Sequence, residues 1–223
     1  MIVLGIDTST LVTSVAIVEG GIVIAEMRGD HGARGADLLV MIDAVCVGAA
    51  IGAHDLDAVA IGAGPGSFTG LRIGMATAKG IAFAAKCPLW AVSSLGALAH
   101  EELETAQTAT VVAILDARRG EVYAGAYRRD GDRTVLVGDE RVMPPAELGA
   151  FVPADARVTG DAVDVIAAFP VHSERTPSGA AVALLALAGA RVDVLVSGVP
   201  SYIRPSEAEV KYPDGVPGAL RKR

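Results

Sequence analysis

The feature that most restricts the fold is a pattern of apolar segments that occurs twice along the chain. Residues 1–7 (MIVLGID) form an apolar run that ends in an aspartate, and residues 111–116 (VVAILD) repeat this arrangement. Each run precedes two strand-like segments joined by a short turn, which is typical of a β-hairpin. The sequence therefore predicts two related lobes, each opening with a strand, an aspartate and a hairpin and continuing into helices.

The remaining apolar periodicity predicts the other elements of an α/β fold with a mixed sheet in each lobe. Helices are expected at residues 36–51, 70–86, 94–104, 145–151, 161–168 and 178–190. Strands near residues 57–62 and 88–92 complete the sheet of the first lobe. We expect an N-terminal, partner-binding lobe at residues 1–104 and a C-terminal lobe at residues 105–223.

Composition limits the functions open to the chain. Its 223 residues carry a net charge of −7, whereas a protein that binds nucleic acid unaided needs clustered Lys and Arg. The apolar stretches at residues 36–53 and 180–199 are both interrupted by charged residues, so neither is expected to span a membrane. Because Cys46 and Cys87 lie far apart and no secretory signal is evident, we expect a reduced, cytoplasmic protein.

Two predicted helices have unusually little polar surface. Asp37 and Asp43 are the only charged residues of the helix at residues 36–51. The helix at residues 70–86 carries a stripe of small residues spaced four apart, namely Gly70, Gly74, Ala78 and Ala82. Both helices could simply cover a sheet, but we expect that they also pack against a second protein. The residues assigned to this contact are Leu38, Leu39, Ile42, Val45, Leu71, Arg72, Gly74, Met75, Ala78 and Ala82.

A glycine-rich loop, GAGPGSFTGLRIG at residues 62–74, leads into the second of these helices. It has the composition of a phosphate loop at a helix N-terminus, but it lacks the GK[ST] ending of a Walker motif. We interpret it as a structural elbow, in which proline and glycines permit a tight turn and a hydroxyl caps the helix. The residues assigned to this elbow are Gly64, Pro65, Gly66, Ser67 and Thr69.

Four segments together resemble the TsaB family, formerly called YeaZ: GIDTST, GPGSFTGLRIGMATAKGIA, LDARRGEVYAGAY and SYIRPSEAE. The resemblance extends over nearly the whole chain in the right order, and the second segment is the most specific. It implies the two-lobed fold of actin-like and sugar-kinase-like ATPases, which agrees with the duplication.

The resemblance also implies a function. Members of the family are non-catalytic partners of a larger paralogue, TsaD, which forms threonylcarbamoyladenosine at tRNA position 37, and the ATPase TsaE joins the assembly. In the family the contact is a bundle of the first two helices of each subunit, which match residues 36–51 and 70–86 here. The resemblance therefore implies a heterodimer with TsaD, a connection to tRNA only through the complex, and no cofactor. Alone, the chain is expected to form a homodimer through the same helices.

A kinase or ATPase of the same fold is the main alternative. Such an enzyme holds phosphates with glycine-containing loops after its aspartates. The loop after Asp7 has no glycine, and Arg118 and Arg119 occupy the space after Asp116 that phosphates would need. A vestigial pocket with weak ATP or ADP binding is left open at Asp7, Thr8, Ser9 and Asp116.

A peptidase is the third and least favoured alternative. TsaD-like proteins carry an HxxxH metal pair after the strand that corresponds to residues 89–92, and the matching positions here are Ser94 and Leu98. The four histidines show no ligand spacing, and a catalytic metal usually needs about three protein ligands. The sequence therefore predicts neither a metal nor a catalytic residue.

Overall fold

The computed structural model describes residues 1–29, 36–106, 108–166, 170–195 and 198–204. The first sheet contains β1 (Ile2–Asp7), β2 (Ser14–Glu19), β3 (Ile22–Arg28), β4 (Ala58–Gly62), β5 (Leu89–Val92) and β11 (Val192–Asp193). The second contains β6 (Thr110–Asp116), β7 (Val122–Asp130), β8 (Arg133–Met143), β9 (Arg157–Gly160) and β10 (Ser173–Glu174). The helices are α1 (Ala36–Gly48), α2 (Phe68–Ala85), α3 (Ser94–Ala106), α4 (Leu148–Phe151) and α5 (Gly179–Leu187).

Strand pairing confirms the duplication. The strand order is β11-β5-β4-β1-β2-β3 in the first sheet and β10-β9-β6-β7-β8 in the second. In the first, β1 runs antiparallel to β2 and parallel to β4, and Asp7 lies opposite Ser14. In the second, β6 runs antiparallel to β7 and parallel to β9, and Asp116 lies opposite Val122. The two aspartates therefore end equivalent strands of two related mixed sheets.

Two helices pack on the sheet of the other lobe. The helix α3 follows the first sheet in the chain, but its Leu95 and Leu98 pack with Val111 and Leu115 of the second sheet. The helix α5 follows the second sheet, but it packs on β1, β2 and β4 of the first. The packing units are thus not continuous in sequence, and the lobe boundary at residues 104/105 stays a prediction.

The helices α1 and α2 cover the face of the first sheet opposite α5. Alternation along β1 explains the two layers, because Leu4 and Ile6 point towards α1 and α2 while Val3 points towards α5. At Gly5 a Cβ would lie only 2.0 Å from the carbonyl oxygen of Gly179, so α5 approaches the sheet at its N-terminal end as only glycine permits. Buried aliphatic side chains fill both layers.

Most predicted elements are present, with ends that differ by one to three residues. The helix predicted at residues 145–151 is a short 3₁₀ turn at 145–147 followed by α4. The helix predicted at residues 161–168 is wrong over its described part, because residues 163–166 form turns. There the Asp161 side chain accepts a hydrogen bond from the Asp116 amide at 2.9 Å, which fixes the chain to the end of β6. The end of the SYIRPSEAE segment lies outside the described residues.

Within the part of the chain that the structure describes, no helix combines the length and apolar character that crossing a membrane requires.

Candidate partner-docking face and interlobe cleft

The loop between β4 and α2 is a tight elbow. The Ser67 side chain accepts a hydrogen bond from the Gly70 amide at 3.3 Å, so Ser67 caps α2. Thr69 is exposed and plays no part in this cap. The Gly64–Pro65 peptide is cis.

The glycines of the elbow are required by its close approach to the loop after β1. A Cβ on Gly66 would lie 2.2 Å from the carbonyl oxygen of Ser9, and one on Gly70 would lie 2.1 Å from that of Thr8. Gly64 has a φ of +112°, in the left-handed region that favours glycine. The elbow therefore sets the direction of α2 relative to the first sheet.

The small-residue stripe of α2 faces the protein's own interior. A Cβ on Gly74 would lie 2.2 Å from Thr8 Oγ1, and Ala78 and Ala82 have no exposed surface. The close backbone approach that this stripe permits is thus made by α2 and the first sheet.

Burial corrects the set of residues assigned to the partner contact. Eight of the ten are buried in the monomer, namely Leu38, Ile42, Val45, Leu71, Gly74, Met75, Ala78 and Ala82. Only Leu39 and Arg72 are exposed. The assigned residues thus lie mostly on the inner sides of the two helices, and the partner contact itself stays a prediction.

The exposed sides of α1 and α2 carry a different set of apolar residues. Leu39, Val40 and Val47 of α1 and Phe83 of α2 are 61%, 68%, 72% and 80% exposed, and Ala76 and Gly80 of α2 are also exposed. We call these six residues the outward face. Such side chains are usually buried, and contiguous exposed apolar patches are a common feature of interaction surfaces.

Sequence reasoning missed most of the outward face. Ala76, Gly80 and Phe83 recur at the helical interval of four and three residues, on the side of α2 opposite Leu71 and Ala78. This periodicity is visible in the sequence. Once the small-residue stripe is assigned to the sheet, this periodicity predicts that Ala76, Gly80 and Phe83 face outward.

Asp7 lies at the end of β1 and is fully buried within a network of hydroxyls. Its Oδ1 accepts hydrogen bonds from the Ser9 amide and hydroxyl at 2.8 and 2.6 Å, and its Oδ2 accepts one from Ser94 Oγ at 2.7 Å. Burial raises the pKa of the Asp7 carboxyl, and the hydrogen bonds from Ser9 and Ser94 oppose that rise. These hydrogen bonds join the Asp7 carboxylate to the loop after β1 and to the first residue of α3.

Asp116 holds the equivalent loop of the second lobe. Its Oδ1 accepts a hydrogen bond from the Arg118 amide at 2.6 Å, just as Asp7 accepts one from the amide two residues ahead. Its Oδ2 pairs with the Arg118 guanidinium at 2.9 Å. Burial raises the pKa of the neighbouring Asp161 carboxyl, and the negative charge of Asp116 raises it further. The hydrogen bond from the Asp116 amide lowers the same pKa.

A cleft of about 1280 Å³ separates the two lobes. Six arginines and four carboxylates line it, together with Thr10, Phe68, Tyr123 and Tyr202. At its mouth the Arg72 guanidinium lies 3.8 Å from the centre of the Phe68 ring and donates to Tyr202 Oη at 3.1 Å. The chain near Tyr202 therefore closes one side of the cleft by contact with α2.

The predicted vestigial nucleotide residues fall at this cleft or behind it. Ser9 and Asp116 line the cleft, whereas Asp7 and Thr8 are buried. The amides of Ser9 and Arg118, which would face phosphates in a nucleotide-binding loop, already donate to Asp7 and Asp116. Phosphate binding at these two loops would therefore have to displace the aspartates.

The positions that match the HxxxH pair have no metal-binding chemistry. Ser94 donates to Asp7, and Leu98 is buried in the second core. Among the described residues no cluster of three or more His, Cys, Asp or Glu side chains could hold a metal. His100 is buried, which lowers its pKa, and its Nδ1 lies 2.9 Å from Thr134 Oγ1.

Two lobes with duplicated strand pairing, exchanged helices and a cleft between them define an actin-like α/β protein. A family model described as "TsaD: tRNA N6-adenosine threonylcarbamoyltransferase" matches residues 12–210. A Bacillus subtilis protein named "tRNA threonylcarbamoyladenosine biosynthesis protein TsaB" is 29% identical over 95% of this chain and 98% of its own length. The chain belongs to this family, and within it to the TsaB (YeaZ) proteins.

Other relatives agree with this assignment. The Haemophilus influenzae protein of the same name is 40% identical over 59% of this chain, and the match spans 56% of its length. The solved structure of YeaZ from Pseudomonas aeruginosa has a TM-score of 0.77 and 30% identity, and the match covers 90% of this chain and 100% of that one. A second Pseudomonas aeruginosa structure, of a protein described as similar to peptidase YEAZ, gives a TM-score of 0.80 at 30% identity over 91% of this chain and 99% of that one.

Proposed function

We propose that this chain is a non-catalytic subunit that docks a TsaD-type transferase through the outward face of α1 and α2. The observation that carries the proposal is the exposure of Leu39, Val40, Val47 and Phe83 on two adjacent helices whose inner sides are already occupied by the sheet. Burying such side chains contributes roughly 25 cal/mol per Å² of apolar surface. A helical partner surface would remove all four from water at once.

Polar residues on the same surface would orient the partner. Asp43 is exposed between Leu39 and Val47 on α1, and Arg72 is exposed at the N-terminal end of α2. A partner that leaves either charge buried and unpaired would bind poorly, so these groups would select one register of the helices. The proposed partner surface is therefore apolar, with a cation to face Asp43.

The hydrogen bonds and ion pairs of the polar side chains support the proposal that the chain is not catalytic. Asp7, Ser9 and Ser94 bond to one another, and Asp116 is paired with Arg118. An ATPase or metallopeptidase of this fold would need these side chains as its catalytic or metal-binding groups. We propose that catalysis belongs to the TsaD partner and that the chain contributes to forming threonylcarbamoyladenosine at tRNA position 37 through assembly.

The outward face also explains the assemblies that we propose, a heterodimer with TsaD and a homodimer of the chain alone. TsaE would join the heterodimer, and tRNA would be reached through the complex. In the absence of TsaD, the outward face of a second copy would be the nearest apolar surface, which gives a homodimer with a two-fold axis.

Co-elution with the TsaD protein of the same organism tests the proposal. Val47→Glu and Phe83→Glu place a carboxylate on the outward face, and Val192→Glu is the matched control because Val192 is 65% exposed on β11, at the edge of the first sheet, and is not one of the six outward-face residues. We expect the wild type and Val192→Glu to co-elute with TsaD in size-exclusion chromatography at micromolar concentration. The two outward-face variants should elute separately with unchanged circular dichroism.

Two results would count against the proposal. One is separate elution of folded wild-type chain and folded TsaD, and the other is undiminished co-elution of both outward-face variants. The cellular role is tested by deleting the gene and measuring the modified adenosine by mass spectrometry. The wild type and Val192→Glu should restore it, and Phe83→Glu should not.

A small-metabolite kinase or ATPase is the second candidate, because the cleft is large and lined with arginines. Asp116 is the residue to test, since it lies in the cleft, whereas substitution of the buried Asp7 would disturb folding. Tight ATP binding by calorimetry that is lost in Asp116→Ala would favour this candidate over the scaffold.

A further inference from the structure

A carboxylate outside the cleft is held in place by two hydroxyl groups. Glu140 lies on β8, Tyr127 on the neighbouring β7, and Ser93 just before α3. The hydroxyls of Tyr127 and Ser93 both donate to Glu140 Oε1, and the two hydroxyl oxygens lie 3.3 Å apart. One oxygen of the carboxylate is therefore fixed from two sides.

Two glycines make room for this arrangement. A Cβ on Gly125 would lie 2.9 Å from the Tyr127 ring and 3.3 Å from Glu140 Cγ, and one on Gly96 would lie 3.5 Å from the other edge of the ring. The Tyr127 ring is thus seated between two positions without side chains, and it is only 4% exposed. Glu140 is held by packing as well as by hydrogen bonds, unlike a carboxylate that moves freely on the surface.

Glu140 also lies beside a small cavity. The cavity has a volume of about 160 Å³, and Glu140 lines it together with Thr134, Leu136, Leu185 and Ala190. No described residue donates a hydrogen bond to Oε2, and because no buried side-chain oxygen in the described residues lacks a partner, Oε2 keeps some exposed surface. Leu185 lies in the last turn of α5, where the helix dipole favours positive charge, and Ala190 lies three residues beyond the end of the helix. The Arg191 guanidinium already donates to the Ala186 carbonyl at this end.

We propose that this cavity binds a primary alkylammonium group, with its charge at Glu140 Oε2 and its methylene groups against Leu136 and Leu185. A carboxylate with one oxygen already satisfied offers an acceptor to a cation, and a charge-assisted hydrogen bond is stronger than a neutral one. The aliphatic walls match an alkyl stem, as they do when a lysine side chain lies along an apolar surface. The site belongs to β8, α3 and α5, and α5 packs on the side of the first sheet opposite α1 and α2. It therefore does not rest on the proposed docking function.

Titration of the full chain by ¹H–¹⁵N and methyl NMR at mildly alkaline pH tests the site. The probes are n-butylammonium, and n-butanol as the neutral compound of equal length. We expect n-butylammonium to shift the amides of Gly96 and Glu140 and the methyl groups of Leu136 and Leu185 in a saturable way, with a Kd on the order of millimolar. The alcohol should give much smaller shifts.

Glu140→Gln removes the charge while keeping an oxygen for Tyr127 and Ser93. It should weaken n-butylammonium binding about five-fold or more, as loss of a charge-assisted bond predicts. Asp139→Asn is the matched control, because Asp139 is the exposed carboxylate next in sequence, and it should bind like the wild type. Should Glu140→Gln fail to fold, Ala190→Phe narrows the cavity from its exposed rim and should abolish the shifts.

Putrescine and Nα-acetyl-lysine amide distinguish a free diamine from a protein lysine as the source of the ammonium group. Tighter binding of either one identifies its source, and equal binding supports the shared chemistry. Absence of saturable shifts at the cavity would overturn the proposal. Shifts of equal size in Glu140→Gln and the wild type would overturn it as well.

Discussion

Ser94 donates a hydrogen bond to Oδ2 of Asp7 at 2.7 Å, and this contact joins the first residue of α3 to the last residue of β1. Both side chains are fully buried. Because α3 packs on the second sheet, the bond connects the strand that opens one lobe to the helix that covers the other. A buried polar contact thus fixes the relation between the lobes at the inner end of the cleft.

Ser94→Ala should lower the free energy of unfolding by about 1–3 kcal/mol, the usual cost of leaving a buried acceptor without its donor. The Gly64 amide, which donates to Ser94 Oγ at 3.3 Å, would lose its partner too. Urea unfolding measures the change, and Thr69→Ala at an exposed position is the control. Equal stability of the two variants would show that the contact contributes nothing.

The pH dependence of stability should report on Asp7. Burial raises its pKa above the ordinary value of 3.8, so the folded state holds the proton to higher pH than the unfolded state does. Stability contributed by this group is therefore greatest at low pH and is lost as pH rises from about the unfolded value through the folded one. Relative to Asp7→Asn, the free energy of unfolding of the wild type should fall as pH rises through that window and then stay constant at higher pH. A difference that stays constant with pH would contradict this account.

Two glycines of α2 should respond oppositely to alanine. Gly74→Ala places a Cβ against Thr8 Oγ1, and overpacking of this kind costs about 1–3 kcal/mol. Gly80 has no heavy atom within 4 Å of its would-be Cβ, so Gly80→Ala should stabilise the helix by about 0.5–1 kcal/mol. Thermal or urea unfolding of the two variants measures both effects. Stabilisation by both would show that the stripe is not packed against the sheet.

Glu102 is the buried partner of two arginines from the second lobe. Its side chain is 1% exposed and lies 2.8 Å from Arg157 Nε and 3.7 Å from Arg175 Nε. Glu102→Ala leaves Arg157 without its closest carboxylate, but Arg157 is 37% exposed and stays hydrated, so we expect a loss of about 1–3 kcal/mol in urea unfolding. Glu147→Ala, at an exposed position, should change stability by less than about 0.5 kcal/mol.

The sequence was sufficient to predict the duplication and most helices and strands, because apolar periodicity and the terminal aspartates of β1 and β6 are local signals. It could not show that α3 and α5 exchange lobes, since both helices are largely buried and their composition does not distinguish one sheet from the other. The helix predicted at residues 161–168 was wrong over its described part for a related reason. Its apolar pattern is real, but the tertiary bond from Asp116 to Asp161 competes with it.

The docking site predicted on α1 and α2 stays a prediction, but most of the residues assigned to it lie on the inner sides of these helices. Small residues spaced four apart permit close approach of any backbone, and here that backbone is the chain's own. Only burial distinguishes Ala78, which faces the sheet, from Phe83, which faces outward. The sequence alone contains no signal for which of two apolar sides a sheet will occupy.

Oxidative footprinting of Phe83 tests the central claim most directly. This side chain is 80% exposed in the monomer, so hydroxyl radicals should label it readily in a dilute sample without TsaD. A dilute, monomeric sample sets the reference, and Leu136 serves as the internal control because it is 40% exposed on β8 of the second sheet. With a saturating amount of TsaD, we expect strong protection of Phe83 and Leu39 and unchanged labelling of Leu136. Unchanged labelling of Phe83 under the same conditions would contradict the central claim.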